Sequence, residues 1–230
     1  MLDSLTNVEY QLERDGYAIV DDVFAQIDMQ ELAASLGQLE KSGAGKRNLL
    51  VQSWCKPIVS RLRTNPKIAD ILSPELVAIQ CTLFDKTPEA NWLVAIHQDL
   101  NVPVAQRVSH PDLGVWSEKE GQLYVQAPSA LLGQLVALRL HIDDCRNDNG
   151  ALRVVPGSHT YGRLGLSDAS ACRDQRGEQS CEVKAGGAMV MRPLLLHASS
   201  KAPAPRHRRV LHFLFAPLLP GYGLQWQYSI

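Results

Sequence analysis

The sequence has no long hydrophobic run: nowhere do about 18 apolar residues stand together without a charge, so no bilayer-crossing helix is expected. An excess of one charge is missing too. Lys plus Arg number 23 against 24 Asp plus Glu, a formal net charge of −1, which supplies no field to gather nucleic acid or an anionic membrane surface. The five cysteines, at 55, 81, 145, 172 and 181, form an odd set without a C-x-x-C pair. That excludes a disulfide framework and a zinc ribbon and implies free thiols in a reducing compartment. The opening MLDSLTNVEY lacks a basic stretch followed by an apolar core, so the expected location is cytoplasmic. Internal repeats and low-complexity segments are also missing.

What remains is ordinary globular material, 230 residues with 45% hydrophobic and 20% charged side chains. The length predicts one domain over 1–230, with a helical support region over 1–73 and a β-rich core over 74–230. DGYAIV at 15–20 reads as a short strand. Asp21 or Asp22 then caps a helix whose apolar positions are Val23, Phe24, Ile27, Leu32, Leu36 and Leu39, ended by the glycine-rich SGAGKR at 42–47. Further helical turns are expected within 54–72. Beyond Ser73-Pro74 the pattern turns to short β-rich runs at 76–84, 91–99, 134–143, 150–155, 187–192 and 208–216. Turn signals such as Asn149-Gly150, Pro156-Gly157 and Gly186-Gly187 separate them. Many strands and few later helices predict an antiparallel barrel or jelly roll. Two long polar stretches, 100–130 and 160–180, interrupt the pattern and read as lids, binding loops or disorder.

His97-Gln98-Asp99 ends an apolar run. The two-residue pleat puts His97 and Asp99 on one face, so an imidazole and a carboxylate project together. A third ligand is available from His197, after the run Leu194 to Leu196, if a barrel closes to bring it near. Two imidazoles and one carboxylate make the facial triad of non-haem Fe(II), with positions left open for a cosubstrate and O2. Arg208 follows His197 by eleven residues, and its guanidinium can grip a carboxylate through two parallel hydrogen bonds. Ser199 offers a hydroxyl to the same carboxylate. A metal beside a carboxylate receptor suggests 2-oxoglutarate as cosubstrate.

HQDL at 97–100, NGALRVVPGSH at 149–159 and LHASSKAPAPRHRR at 196–209 resemble the phytanoyl-CoA dioxygenase family of Fe(II)- and 2-oxoglutarate-dependent oxygenases. The resemblance runs from about DGYAIVDDVF to the last strand. It implies His97, Asp99 and His197 as metal ligands, Arg208 and Ser199 as 2-oxoglutarate contacts, and Thr82 as a residue lining the cosubstrate pocket. It also implies a double-stranded β-helix, with oxidative decarboxylation of 2-oxoglutarate to succinate and CO2 driving attack on a substrate C–H. Arg139 departs from the pattern, since many relatives carry an aromatic there, usually tryptophan. Asp99 argues against the related halogenases, which replace the acidic ligand with a small residue.

Other groups are weighed on their own chemistry. Ser158-His159 has no third orienting group and reads as turn structure rather than as a nucleophile and base. Arg139 and His141 share one strand face, either a barrel interior suited to a polar or anionic substrate or a solvated surface. Asp143 and Asp144 read as turn caps. Arg206, His207 and Arg209 read as a solvated strand entrance, with Arg209 facing away from Arg208. Trp116, Tyr124 and Gln126, within 116–128, read as a substrate-facing loop over the metal or as an ordinary packed loop. The whole predicts a dioxygenase that hydroxylates, or otherwise oxidises, an unactivated C–H of a small metabolite or natural-product intermediate, working as a monomer or homodimer. The alternatives are a jelly-roll isomerase or hydrolase without 2-oxoglutarate, and a non-catalytic metal- or ligand-binding protein.

Overall fold

A computed structural model describes residues 6–37, 39, 45–203 and 207–230; residues 42–44 of the glycine-rich segment and Arg206 lie outside the described residues. The chain opens with a helix, α1 (Asn7–Asp15), that the sequence reading passed over. Thr6 and Glu9 close a capping box, with Thr6 N donating to the Glu9 carboxylate at 2.8 Å and Glu9 N to Thr6 Oγ1 at 3.3 Å. Such a cap is worth about 1 kcal/mol, enough to fix where a short helix starts. Gly16 ends it at φ 82°, where a Cβ would also run into His159 and Leu195.

Strand β1 (Tyr17–Val20) follows, then α2 (Gln26–Gly37). Val23 and Phe24 precede this helix rather than belonging to it, because both amides donate to Gly186 O and tie the segment to the sheet. Asp28 supplies the helix start in place of Asp21 or Asp22, accepting from Ala25 N at 3.1 Å, and Ile27 faces solvent. Next come β2 (Gly45–Lys46), α3 (Cys55–Thr64), β3 (Leu76–Lys86) and β4 (Val94–His97).

The stretch 100–130 is not a loop. It folds as β5 (Asn101–Pro103), β6 (Trp116–Lys119) and β7 (Gln122–Gln126), a three-stranded sheet in the order β5-β7-β6. Glu120 and Gly121 both take positive φ, 51° and 71°, the requirement of a two-residue type I′ hairpin turn. Short α4 (Ser129–Leu132) leads to β8 (Val136–His141) and β9 (Leu152–Val154). The second predicted loop is likewise ordered, as α5 (Leu166–Arg176) and β10 (Gln179–Cys181). The chain finishes through β11 (Ala188–Met191), β12 (His197–Ser199) and β13 (Arg208–Pro217).

The result is mainly β, a jelly roll of antiparallel sheets with flanking helices. The larger sheet runs β1-β11-β8-β13-β3-β2 and the smaller β10-β9-β12-β4. Alternation decides what each face of the larger sheet buries. Leu211, Phe213 and Phe215 of β13 pack with Leu36, Val59 and Leu62 of the helices, whereas Leu214 and Ala137 pack with Leu152 and Val154 of the smaller sheet. The five cysteines are free, and among the described residues no helix is long and apolar enough to cross a membrane.

Candidate active site

Pairing of β4 with β12 sets His97 directly opposite His197, which brings together residues a hundred positions apart in sequence. Their rings stand 4.2 Å apart between centroids. Asp99, just past β4, completes the cluster: Oδ1 lies 3.7 Å from His97 Nε2 and Oδ2 lies 3.7 Å from His197 Nε2. One donor atom from each of the three residues falls within 4.8 Å of the others.

The histidine tautomers follow from their neighbours. His97 Nδ1 sits 2.8 Å from Ala95 O and His197 Nδ1 2.9 Å from Leu195 O. A carbonyl only accepts, so each Nδ1 carries the proton and each Nε2 keeps its lone pair for a metal. Burial, opposed by Asp99, pushes the pKa of His197 down to about 4, so its ring is neutral at neutral pH. Burial opposes ionisation of Asp99, yet the fields of His197, His212, His97 and Arg139 hold its carboxyl below the usual range. Two neutral imidazoles and one carboxylate on one side of a cavity are a donor set suited to Fe(II).

Gln98, between two of the ligands, was given no role in the sequence reading. Its buried side chain donates to Gly162 O at 2.7 Å and Leu194 O at 2.6 Å and accepts from Leu164 N at 2.8 Å, stapling the turn that aims His97 and Asp99. The PGSH segment is structural as well. Ser158 Oγ accepts from Leu196 N at 2.9 Å beside His197, and His159 Nε2 lies 3.1 Å from Glu13 O of α1.

The three groups lie on a cavity of about 300 Å³ whose floor is built by alternation on three neighbouring strands. Gln80, Thr82 and Phe84 of β3, Arg139 of β8, and Arg208, His212 and Leu214 of β13 all line it. Thr82, His212 and Arg139 are register partners across β3, β13 and β8. Arg208 is 2% exposed; its Nη1 donates to Gly150 O at 3.1 Å and its Nε has no partner. Ser199 Oγ donates to the same Gly150 O at 3.0 Å. Lys86, unnoticed in the sequence, pairs with Arg208 in register and donates to Ser199 Oγ at 2.9 Å and to Ser200 O. Burial and the charge of Arg208 lower its pKa to about 8. Among the described residues no carboxylate pairs with Arg208, Lys86 or Arg139, whereas adjacent Arg209 turns to the other face and forks onto Asp143 at 2.7 and 2.8 Å.

The remaining named residues separate. Tyr124 lines the cavity, its hydroxyl donating to Gln122 Oε1 at 3.1 Å. Trp116 and Gln126 do not: Trp116 packs against the inter-sheet core, and Gln126 accepts from Arg163 at 2.7 Å. His141 is buried behind the lining with both ring nitrogens unpartnered. Burial and the charges of Arg139 and Arg208 hold its pKa well below the ordinary histidine value. Asp144 accepts from Ala185 N at 3.0 Å, and Asp143 is taken by Arg209, so neither reaches the cavity.

A jelly roll carrying two histidines and an aspartate on one side, with a buried arginine set back from them, defines the class of metal-dependent oxygenase folds. The chain belongs to the phytanoyl-CoA dioxygenase (PhyH) family, whose sequence profile matches residues 12–210. Several solved structures share the fold at low identity. EctD from S. alaskensis, with 2-oxoglutarate and 5-hydroxyectoine, superposes with a TM-score of 0.67 at 17% identity, covering 93% of this chain and 77% of that one. The epimerase SnoN from nogalamycin biosynthesis, in complex with Fe3+, alpha ketoglutarate and nogalamycin RO, gives 0.67 at 17% identity over 96% and 92%. HygX from Streptomyces hygroscopicus, with nickel and 2-oxoglutarate, gives 0.64 at 16% identity over 93% and 88%. Among curated proteins no relative matches.

Proposed function

We propose that this protein is an Fe(II)- and 2-oxoglutarate-dependent dioxygenase that hydroxylates an unactivated C–H of a small metabolite or natural-product intermediate, releasing succinate and CO2. The observation that carries the reading is the pairing of a three-donor N,N,O cluster with a buried guanidinium that has no carboxylate partner, on one cavity. His97 Nε2, Asp99 and His197 Nε2 would hold the iron. Bound there with 2-oxoglutarate and O2, iron supplies the oxidising power that cleaves a C–H bond.

The chain's own residues do the rest. The Ala95 and Leu195 carbonyls keep both Nε2 lone pairs aimed at the metal, and Gln98 fixes the turn between two of the ligands. Arg208, with Ser199 beside it, receives the distal carboxylate of 2-oxoglutarate, for which charge-assisted hydrogen bonds in a buried place are strong. Thr82 and Leu214 shape the wall.

EctD was solved with a hydroxylated ligand, whereas SnoN is an epimerase on the same fold, so the fate of the substrate has to be measured. The test is succinate formation from 2-oxoglutarate with Fe(II) and O2 over a metabolite library, followed by mass spectrometry of the stimulating compound. A product heavier by one oxygen supports hydroxylation. An unchanged mass or the loss of two hydrogens replaces it with epimerisation or ring formation. Absence of succinate in the wild type removes 2-oxoglutarate from the reaction, whereas succinate formed at wild-type efficiency by Arg208→Ala removes Arg208 as its receptor.

A further inference from the structure

Arg139 is 6% exposed and lines the cavity, yet no carboxylate among the described residues pairs with it. Its orientation is fixed all the same. The Phe84 ring lies 5.4 Å from the guanidinium carbon, and Nη1 lies 3.2 Å from His212 Nδ1. His212 is neutral, its pKa pushed down to about 4 by burial and by the charge of Arg139, so Nδ1 is free to accept. One edge of the fork is therefore used, and the other is not: among the described residues Nε is buried without a partner and Nη2 makes no hydrogen bond. The Nε–Nη2 edge is the one that offers two parallel donors to a carboxylate. Burial and Arg208 lower the guanidinium's pKa to about 10, and it stays charged at neutral pH.

Charge counting over the loaded site points the same way. Fe(II) and the dianion of 2-oxoglutarate cancel, Asp99 and Arg208 cancel, and two buried cations are left over, Lys86, which is spent on Ser199 and Ser200 behind the lining, and Arg139, which lines the cavity. An uncompensated buried charge is costly, so such sites are built to receive a counter-ion. Lys119, which also lines the cavity, lies over the Tyr124 ring at 5.3 Å and adds a further cation.

We propose that Arg139, held by His212 and Phe84, is a second carboxylate receptor in this cavity, and that the substrate is a small molecule carrying a carboxylate which Arg139 grips. This names the substrate class for the dioxygenase reading above and rests on it. His212 is a positioning residue: it spends one guanidinium edge so that the other stays free of protein partners.

The experiment uses protein loaded with Zn(II) and 2-oxoglutarate, so that Arg208 is already engaged and no turnover occurs. Propanoate is titrated as the probe, with propanamide as its uncharged match, while the Nε–H resonance of Arg139 is followed, assigned by its loss in Arg139→Gln. The expected result is a saturable shift with propanoate, none with propanamide, and weaker propanoate binding in His212→Phe. Calorimetry should find 2-oxoglutarate affinity in Arg139→Gln and Arg139→Lys within about threefold of wild type, since losing a bidentate ion pair costs about tenfold or more. Equal responses to acid and amide would overturn the proposal. So would a tenfold or larger loss of 2-oxoglutarate affinity in the folded Arg139→Lys variant, which would assign Arg139 to the cosubstrate. Failure of 2-oxoglutarate to bind the wild type would instead sink the dioxygenase reading, a result read in the first titration and separate from the Arg139 signal.

Discussion

The two faces of β13 show how one strand serves stability and chemistry at once. Toward the helices, Leu211, Phe213 and Phe215 are fully buried, and Arg209 is neutralised by the forked bond to Asp143. Toward the cavity, Arg208 and His212 are as deeply buried but stand beside Arg139 and Lys86 with no acid except Asp99 among the cavity-lining residues. Successive residues Arg208 and Arg209 thus have opposite fates. A paired ion holds the fold; an unpaired one, kept in place by the Gly150 carbonyl and the Cys145 sulfur, is a preorganised receptor.

The comparison can be broken most severely at the metal. Asp99→Ala should abolish turnover and weaken Fe(II) binding by about 100-fold or more, since even an outer partner of a ligand is worth about 10–100-fold. Equilibrium dialysis against Fe(II) checks this, and retention of stoichiometric iron would void the triad. Next in size, Arg208→Ala should raise the 2-oxoglutarate dissociation constant by about 100-fold, two charge-assisted hydrogen bonds at about 1.5 kcal/mol each. Arg209→Ala should leave that constant within about threefold and lower unfolding stability by about 1–2 kcal/mol instead, as expected for a partly buried pair that loses one member. If the two variants exchange behaviours, the register of β13 is wrong.

A pH series sharpens the same contrast in metal-free protein. His197 and His212 have folded pKa values of about 4, with burial the chief cause, while the unfolded chain takes up those protons near 6.5. Between these values the unfolded state holds more protons, so stability falls as pH drops from about 6.5 to 4, by up to about 3 kcal/mol for each ring. Asp99, whose folded pKa is depressed, loses its contribution only below that window. Urea unfolding at pH 7 and 4.5 measures the loss, and His212→Phe should flatten the slope. Smallest is Gln98→Ala, with metal affinity reduced by about tenfold as the ligand turn loosens. No change there would make Gln98 a packing residue alone.

The jelly roll was legible because its core runs are apolar and bounded by turn residues, and 76–84 and 208–216 became β3 and β13 with ends moved by at most two residues. The helix α1 was missed although Thr6 and Glu9 spell its cap, since it is short and polar and only Val8 and Leu12 of NVEYQLERD join the core. The hairpin β6–β7 hid for a similar reason: WSEK reads as a charged loop, and only the positive φ of Glu120 and Gly121 turns it back on itself. At the site, His97 and Asp99 announce themselves by a pleat two residues long, but the strand pairing that sets His197 opposite them is long-range and unreadable locally. The role of His212 is of the same kind. It sits on the Arg208 face of its strand, and what gives it meaning is Arg139 across the ladder.

The most direct test of the central claim, that the cavity face of β13 is a carboxylate receptor beside a facial triad, is an anaerobic titration of the metal-free protein with Fe(II) and 2-oxoglutarate, followed in the visible range. The account requires a weak charge-transfer band from bidentate chelation in wild type and in Arg209→Ala, and a band in Arg208→Ala that is absent or needs far more 2-oxoglutarate. Iron bound by the wild type with no band at any concentration of 2-oxoglutarate would contradict it.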